Sequence, residues 1–376
     1  MLVEAVHRIA VLRANRLGDF LIATPALEAL RAAYPAAEIV LLARQWHADL
    51  LSGRPGPVDR VVPVPPTRGV VDSGPEDPAA VEAFVASMRT QRFDLAVQMH
   101  GGGRWSNPLT ARLGARCTVG LRAPDAPALD RTLAYSWYQP EVLRYLELVG
   151  LVGAEPVTLH PRLSLMDCDR AEADALDLPA GPLVALHPGA EDPRRCWPAE
   201  SFAAVGDGLA AAGATVLVTG SGPERAIVAD VVGAMKAPAL SLVDTLSIGG
   251  LAAVYDRCAV VVANDTGPRH LAEAVDTPTV AVIWCGNLVN FGPLGRRRHR
   301  VHVSWLTACP VCAAPLPEPE LPARHHGRCP HEVSWMTPVD PTAVLGSATE
   351  LLRDSLSGKG FRPTAGMAAD AGRPST

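Results

Sequence analysis

Two kinds of apolar pattern alternate along this chain, and the alternation runs twice. Short aliphatic runs that read as buried strands stand at 8–12, 38–42, 60–64 and 94–99. Helical spacing of apolar residues follows or intervenes at 21–33, 78–90 and 140–152. Strands separated by helices of this length predict a largely parallel sheet. Segments 68–77 and 122–131 carry turn formers and read as surface loops. A second series begins at Gly181, with strands expected at 183–187, 215–219, 239–243, 259–263 and 279–283. Its helices fit 199–212, 223–235, 247–256 and 268–275. The expected fold is α/β, with two Rossmann-like, doubly wound domains facing a cleft. The expected divisions are 1–165, a linker at 166–180 within the Pro-containing stretch 155–180, then 181–338, a C-terminal helix at 339–355 and a disordered tail at 356–376.

A chain of 376 residues is long enough for two such cores without disulfide support. Its net charge of −5 gives no electrostatic case for nucleic acid. No early basic segment leads into an apolar run that reads as a signal peptide, and no apolar stretch approaches a membrane span. Eight scattered cysteines predict reduced thiols and a cytoplasmic location, with at most peripheral membrane contact. The only lysines are Lys236 and Lys359, which removes lysine chemistry from most of the chain.

In open α/β sheets, ligands sit beyond the carboxyl ends of strands. Asp19 lies in the first such turn, beside Gly18, between a strand and a helix. A carboxylate there serves either as a helix cap or as a general base facing the cleft. Three loops of the second series occupy equivalent places. The first runs from His187 through Gly189 to Arg194, Arg195 and Trp197. The second, Thr219-Gly220-Ser221-Gly222-Pro223-Glu224, offers a carboxylate suited to a ribose hydroxyl pair. The third, Asn264-Asp265-Thr266-Gly267-Pro268-Arg269-His270, starts a helix whose first N–H groups have no intrahelical acceptor. Such N–H groups bind anions, and an arginine opposite them completes a diphosphate site. Taken singly, each loop also reads as ordinary turn and cap chemistry.

Together these pieces resemble the ADP-heptose:lipopolysaccharide heptosyltransferase family, glycosyltransferase family nine. The resemblance spans most of 7–353 and follows the family's order. It rests on the opening Arg16-x-Gly18-Asp19-x-Leu21 with Thr24-Pro25-Ala26-Leu27, then FDLAVQMHGGGR at 93–104 and ARCTVGLR at 115–122. HPGA at 187–190, RRCWPAESF at 194–202, TGSGPER at 219–225 and VANDTGPRHLAEA at 262–274 complete it. It implies a GT-B architecture with a nucleotide-sugar in the C-terminal domain, and inverting transfer with no metal and no cofactor. The donor is implied to be a nucleoside-diphosphate sugar, ADP-heptose or related; the acceptor is a glycan, a lipid-linked saccharide or a small molecule. Carried over by position, Asp19 matches the catalytic base, and Arg195 stands where the family usually has a phosphate-binding lysine. Glu224 matches the ribose-binding acid, and His187, Gly189, Asp265, Thr266, Gly267 and His270 match the donor site. Trp284-Cys285-Gly286-Asn287 departs from the family's usual Gly-Pro-Thr-Asp, which leaves the donor sugar open. The other classes are a non-catalytic nucleotide- or sugar-binding protein of this architecture, which has no need of Asp19, and a GT-B epimerase.

Other signals fit less well. His100-Gly101-Gly102-Gly103 imitates an esterase oxyanion motif, but no G-x-S-x-G elbow accompanies it. His100 is the second candidate base. Cys309-x-x-Cys312 with Cys329 and His331 has the composition of a zinc site, set against free thiols or a labile disulfide, and no metal is assigned. The basic run Arg296-Arg297-Arg298-His299-Arg300 reads as a solvated loop or a contact for an anionic surface.

Overall fold

The apolar run RIAVL becomes β1 (Arg8–Leu12), with four of its five residues buried. It can be apolar on both faces because it lies inside a parallel sheet covered by helices on each side. In the computed structural model, which describes residues 2–315 and 329–358, ten further elements complete the first half. They are α1 (Leu17–Ala33), β2 (Glu38–Ala43), α2 (Gln45–Leu51), β3 (Arg60–Pro63), α3 (Pro78–Thr90), β4 (Leu95–Gln98), α4 (Ser106–Arg112), β5 (Cys117–Arg122), β6 (Arg131–Ala134) and α5 (Glu141–Gly150). Then come α6 (Asp167–Asp174), β7 (Leu183–His187), α7 (Ala199–Ala211), β8 (Thr215–Gly220), α8 (Arg225–Ala234), β9 (Ala239–Val243), α9 (Ile248–Arg257), β10 (Cys258–Asn264), α10 (Gly267–Ala274), β11 (Thr279–Trp284), α11 (Cys285–Phe291), β12 (His299–Ser304) and α12 (Pro341–Leu356).

Each half forms a six-stranded sheet, ordered β3-β2-β1-β4-β5-β6 and β9-β8-β7-β10-β11-β12. All pairs are parallel, and the two orders are the same doubly wound arrangement. The order reverses between β1 and β4 in the first sheet and between β7 and β10 in the second. Those two points are where crevices open beyond the strand ends.

Several elements differ from what the sequence pattern predicts. The loop expected at 122–131 is shorter, because β5 ends at its first residue and β6 begins at its last. The basic run is not simply a solvated loop: His299 and Arg300 open the edge strand β12, and Arg298 is tied to the backbone and carboxylate of Asp276. Within the expected linker, α6 packs on α9, and its Asp169 accepts two hydrogen bonds from buried Arg54 at 2.5 and 3.0 Å. Arg54 belongs to the first half, so α6 joins both halves. The tail from 359 onward, and residues 316–328, lie outside the described residues.

Candidate active site

The first crevice is built by the turns after β1 and β4. Arg13 donates from Nη1 to the Met99 carbonyl at 2.7 Å, and the Ala14 N–H donates to His100 Nδ1 at 3.3 Å. The helix α1 starts at Leu17, four residues earlier than its apolar spacing suggests, so Asp19 sits within its first turn. Its carboxylate accepts from the Arg16 N–H at 3.3 Å, which is a capping contact. It does more than cap. Arg13, 1 % exposed, donates twice to the Asp19 carbonyl and stands 3.5 Å from its carboxylate. The same guanidinium reaches Glu141 at 3.2 Å, and Glu141 is bonded in turn by Arg144 and the Tyr145 hydroxyl, each at 2.9 Å. Burial, reinforced by the negative Glu141, raises the Asp19 pKa above the usual carboxylate value, although Arg13 opposes the shift. About a quarter of the Asp19 side chain (26 %) remains open to solvent.

His100 presents a different picture. It is buried and its pKa falls to about 3, chiefly through desolvation with Arg13 nearby. Its Nδ1 is already occupied by the Ala14 N–H. The glycines after it serve the turn: Gly101 and Gly103 have φ of 61° and 94°, and a β-carbon on Gly103 would strike the Leu121 carbonyl and Asn107.

The second crevice repeats the plan of the first. Asn264, at the end of β10, donates to the Pro188 carbonyl at 2.7 Å and accepts from the Trp197 N–H at 3.1 Å. The loops after β7 and β10 are thereby locked together. His187 Nδ1 pairs with Thr219 Oγ1 at 3.0 Å, and Thr219 with the Tyr255 hydroxyl at 2.9 Å. This orients His187 Nε2 toward Glu224 Oε1, 3.4 Å away. The other Glu224 oxygen accepts from the Ser221 N–H and hydroxyl, both at 2.8 Å. Partial burial would raise the Glu224 pKa, but His187 and the Ser221 donors outweigh it and hold the group at about 2. Gly189 leaves space for this placement of the carboxylate, because a β-carbon there would lie 1.9 Å from Glu224 Oε1 and displace it.

The two arginines of the first loop separate by function. Arg194 is consumed by structure: it binds Asp192 at 2.5 Å and lies over the Trp335 ring at 5.4 Å. The Arg195 N–H donates to the Asp192 carbonyl at 2.8 Å, whereas its half-buried side chain makes no hydrogen bond or ion pair with the described residues. On the third loop, Thr266 is extended (φ −151°) and Gly267 and Pro268 open α10, as expected. Asp265 is less free than the sequence suggests. Its two oxygens are taken by Arg269 at 3.2 Å and Asn287 at 2.8 Å. His270 is buried against the Arg269 guanidinium, and its pKa falls well below the ordinary value through desolvation and Arg269. Asn287, from the segment that departs from the family pattern, therefore secures Asp265.

The crevices meet where α1 faces α10. A β-carbon on Gly267 would lie 3.2 Å from Leu17 Cβ and 3.4 Å from the Gly18 nitrogen. Arg16 forms an ion pair with Glu191 across the same gap. The first turn of α1, which carries Asp19, thus packs against the N-terminus of α10.

Comparison with known proteins bears on the family and the fold. The sequence profile of Glycosyltransferase family 9 (heptosyltransferase) matches residues 81–311, more than half of the chain. The chain belongs to this family. It is therefore a glycosyltransferase of heptosyltransferase type, with the GT-B fold. It is 23 % identical over 333 residues to lipopolysaccharide heptosyltransferase 3 of Escherichia coli, covering 79 % of this chain and 95 % of that one. It is 26 % identical over 298 residues to lipopolysaccharide heptosyltransferase 2 of Salmonella typhimurium, covering 73 % and 82 %. Among solved structures, a family 9 glycosyl transferase of Veillonella parvula superposes with a TM-score of 0.77 at 19 % identity, over 94 % of this chain and all of that one. An E. coli heptosyltransferase solved with ADP gives 0.64 at 19 % identity, over 92 % and 99 %. Among the described residues no helix is long and apolar enough to cross a membrane.

Sequence pattern alone assigns no role to Arg13, Arg269 or Asn287. Glu141, Arg144 and Tyr145 do carry a signal, since i, i+3 and i+4 on one helix share a face. Nothing in the sequence pairs that face with Arg13.

Proposed function

We propose that this family member is an inverting, metal-independent transferase that moves a heptose or related sugar from an ADP-linked donor to a hydroxyl of a lipopolysaccharide-type glycan. The observation that carries this reading is the place of Asp19, a partly buried carboxylate of raised pKa in the first turn of α1, where that helix packs against the start of α10. The relatives named above are lipopolysaccharide heptosyltransferases, and one structural neighbour holds ADP.

The chemistry follows from the site. Asp19 takes the proton from the acceptor hydroxyl as its oxygen attacks the anomeric carbon. The bond from that carbon to the diphosphate oxygen breaks on the opposite face, which inverts the configuration. Charge develops on the departing nucleoside diphosphate. Arg195 and the free N–H groups at Thr266 and Gly267 stabilise it. Glu224, kept ionised by His187 and Ser221, accepts from the ribose hydroxyls, and Gly189 leaves room for its carboxylate. Asp265 and His270 act through α10, as positioning residues. The test is to incubate the protein with ADP-heptose and a heptose-free lipopolysaccharide core, with and without a chelator of divalent cations. Mass spectrometry would show one added heptose under both conditions. ADP-heptose left intact, or turnover restored only by added Mg²⁺, would overturn the reading.

A further inference from the structure

We propose that Glu141 is a positioning residue for transfer: it holds the Arg13 guanidinium on the Asp19 backbone carbonyl and off the Asp19 carboxylate, which stays free to take a proton. This rests on Asp19 being the base.

Glu141 is the first residue of α5. An acidic residue there ordinarily faces solvent and complements the helix N-terminus. Glu141 turns inward instead and is 8 % exposed. Its Oε1 accepts from Arg144 Nη1 at 2.9 Å, and its Oε2 from the Tyr145 hydroxyl at 2.9 Å and from Arg13 Nη2 at 3.2 Å. Arg144, fully buried, is itself fixed by the carbonyls of Ser136, Trp137 and Gln139 at 2.6, 3.1 and 3.2 Å. The loop before α5 thereby anchors the carboxylate that meets Arg13.

Arg13 presents its N–H donors in a rigid fork. Nε and Nη2 donate to the Asp19 carbonyl at 3.0 and 2.8 Å, and Nη1 donates to the Met99 carbonyl at 2.7 Å. Of the two hydrogens on Nη2, one goes to the Asp19 carbonyl and the other to Glu141. Neither is left for Asp19 Oδ1, 3.5 Å away. The Tyr145 ring lies against the guanidinium at 4.7 Å. Without the Glu141 charge, the freed hydrogen turns to Oδ1, and an arginine bonded directly to a carboxylate weakens it as a base.

The other groups around Asp19 do not take this part. Arg16 donates its backbone N–H to the carboxylate at 3.3 Å, while its side chain pairs with Glu191. Arg44 approaches from the turn after β2. Tyr135, after β6, and Tyr145, on α5, have pKa values raised by burial and stay neutral. His100, after β4, and His270, on α10, have pKa values lowered by burial and stay neutral as well. Burial raises the Asp19 pKa, Arg13 opposes the rise, and Glu141 adds to it. A pair that served only to hold α5 on the sheet would gain little from its charges, since packed apolar side chains do that as well.

The test compares wild type, Glu141→Gln and Glu141→Asp by two readouts. The first is titration of the Asp19 carboxyl, followed by carbon NMR on labelled aspartate, with the signal assigned by its loss in Asp19→Asn. The second is kcat/KM for transfer from ADP-heptose against pH, with ADP affinity measured alongside. In Glu141→Gln the titration should move down by about 1–3 pH units, the usual effect of an arginine meeting a carboxylate. The acidic limb of kcat/KM should move with it, and kcat on the plateau should fall roughly 3–30-fold, because a weaker base removes the proton less well. KM for ADP-heptose and ADP affinity should hold. Glu141→Asp, which keeps the charge, should return both readouts toward wild type. Glu141→Gln leaves two buried arginines short of a partner, so the double variant Arg13→Met with Glu141→Met is the second probe. With the opposing arginine gone, its titration and limb should move up rather than down. A titration unmoved in Glu141→Gln, whatever happens to the melting temperature and rate, would overturn the proposal, as would a downward shift in the double variant. A titration that moves without the limb would instead remove Asp19 as the base, so the two failures are told apart.

Discussion

Gly18 and His270 meet edge to backbone where the two halves of the molecule touch: a β-carbon on Gly18 would lie 2.8 Å from His270 Cδ2. This contact sets the separation of α1 and α10, and on the proposed mechanism it spaces the base from the donor. Gly18→Ala must push α1 away from α10, and overpacking of this kind costs about 1–3 kcal/mol. The expected outcome is a lower melting temperature, reduced kcat and weaker ADP binding, because His270 and the start of α10 are displaced together with α1. Steady-state kinetics with calorimetric ADP titration check it. Full activity in Gly18→Ala would show that the halves do not work at this separation.

Arg195→Ala should weaken ADP binding by about 1.5–3 kcal/mol, the usual cost of a lost charge-assisted contact, with little change in melting temperature. Arg194→Ala should behave in the opposite way, because Arg194 is already bound to Asp192 and Trp335. Calorimetry and thermal melts on the two variants separate them. Equal ADP affinity in wild type and Arg195→Ala would remove Arg195 from the phosphate site.

Glu224 gives a pH signature. Its pKa lies at about 2 in the folded chain, below its ordinary value of 4.5. A depressed carboxylate stabilises the fold fully above the ordinary value, and this contribution is lost as pH falls toward the folded value. Wild type should therefore lose stability between about pH 4.5 and about pH 2 more steeply than Glu224→Gln. Denaturant melts across that range check the difference. Parallel curves would mean that the His187 and Ser221 contacts do not hold the charge.

Gly189→Ala should damage the same place without touching a charge. Its new β-carbon would collide with Glu224 Oε1, so the carboxylate must leave His187. ADP affinity should fall, while the affinity for inorganic pyrophosphate, which has no ribose, should hold. A loss that is equal for both ligands would contradict the placing of Glu224 at the ribose.

Much of this architecture is legible in the sequence because the informative signals are local. The buried strand β1, the helix α3 with its Asp77 cap and Pro78, and the strand–glycine–helix turns at Gly18 and Gly267 each declare themselves within a few residues. The short helices α2, α4 and α11, seven residues each, do not, since two turns hold too little periodicity. The turn formers between β5 and β6 mask both strands. Within the site, the positions of Asp19, Arg195 and Glu224 follow from strand-end logic. The commitments of Asp265 to Asn287 and of Arg13 to Glu141 are long-range pairings that no spacing announces.

The central claim is that Asp19 is the base rather than a cap, and Asp19→Asn tests it most directly. Asparagine keeps the size and the capping contact to Arg16 but cannot take a proton. Because burial raises the Asp19 pKa, its charge costs stability at pH values above that pKa. The melting temperature of Asp19→Asn at neutral pH should therefore be no lower than that of wild type. Transfer from ADP-heptose should fall by about 10²–10⁴-fold, with ADP affinity unchanged. In wild type, kcat/KM should drop as pH falls through a value above the ordinary carboxylate range. Near wild-type turnover in Asp19→Asn, with an intact fold, would contradict the account.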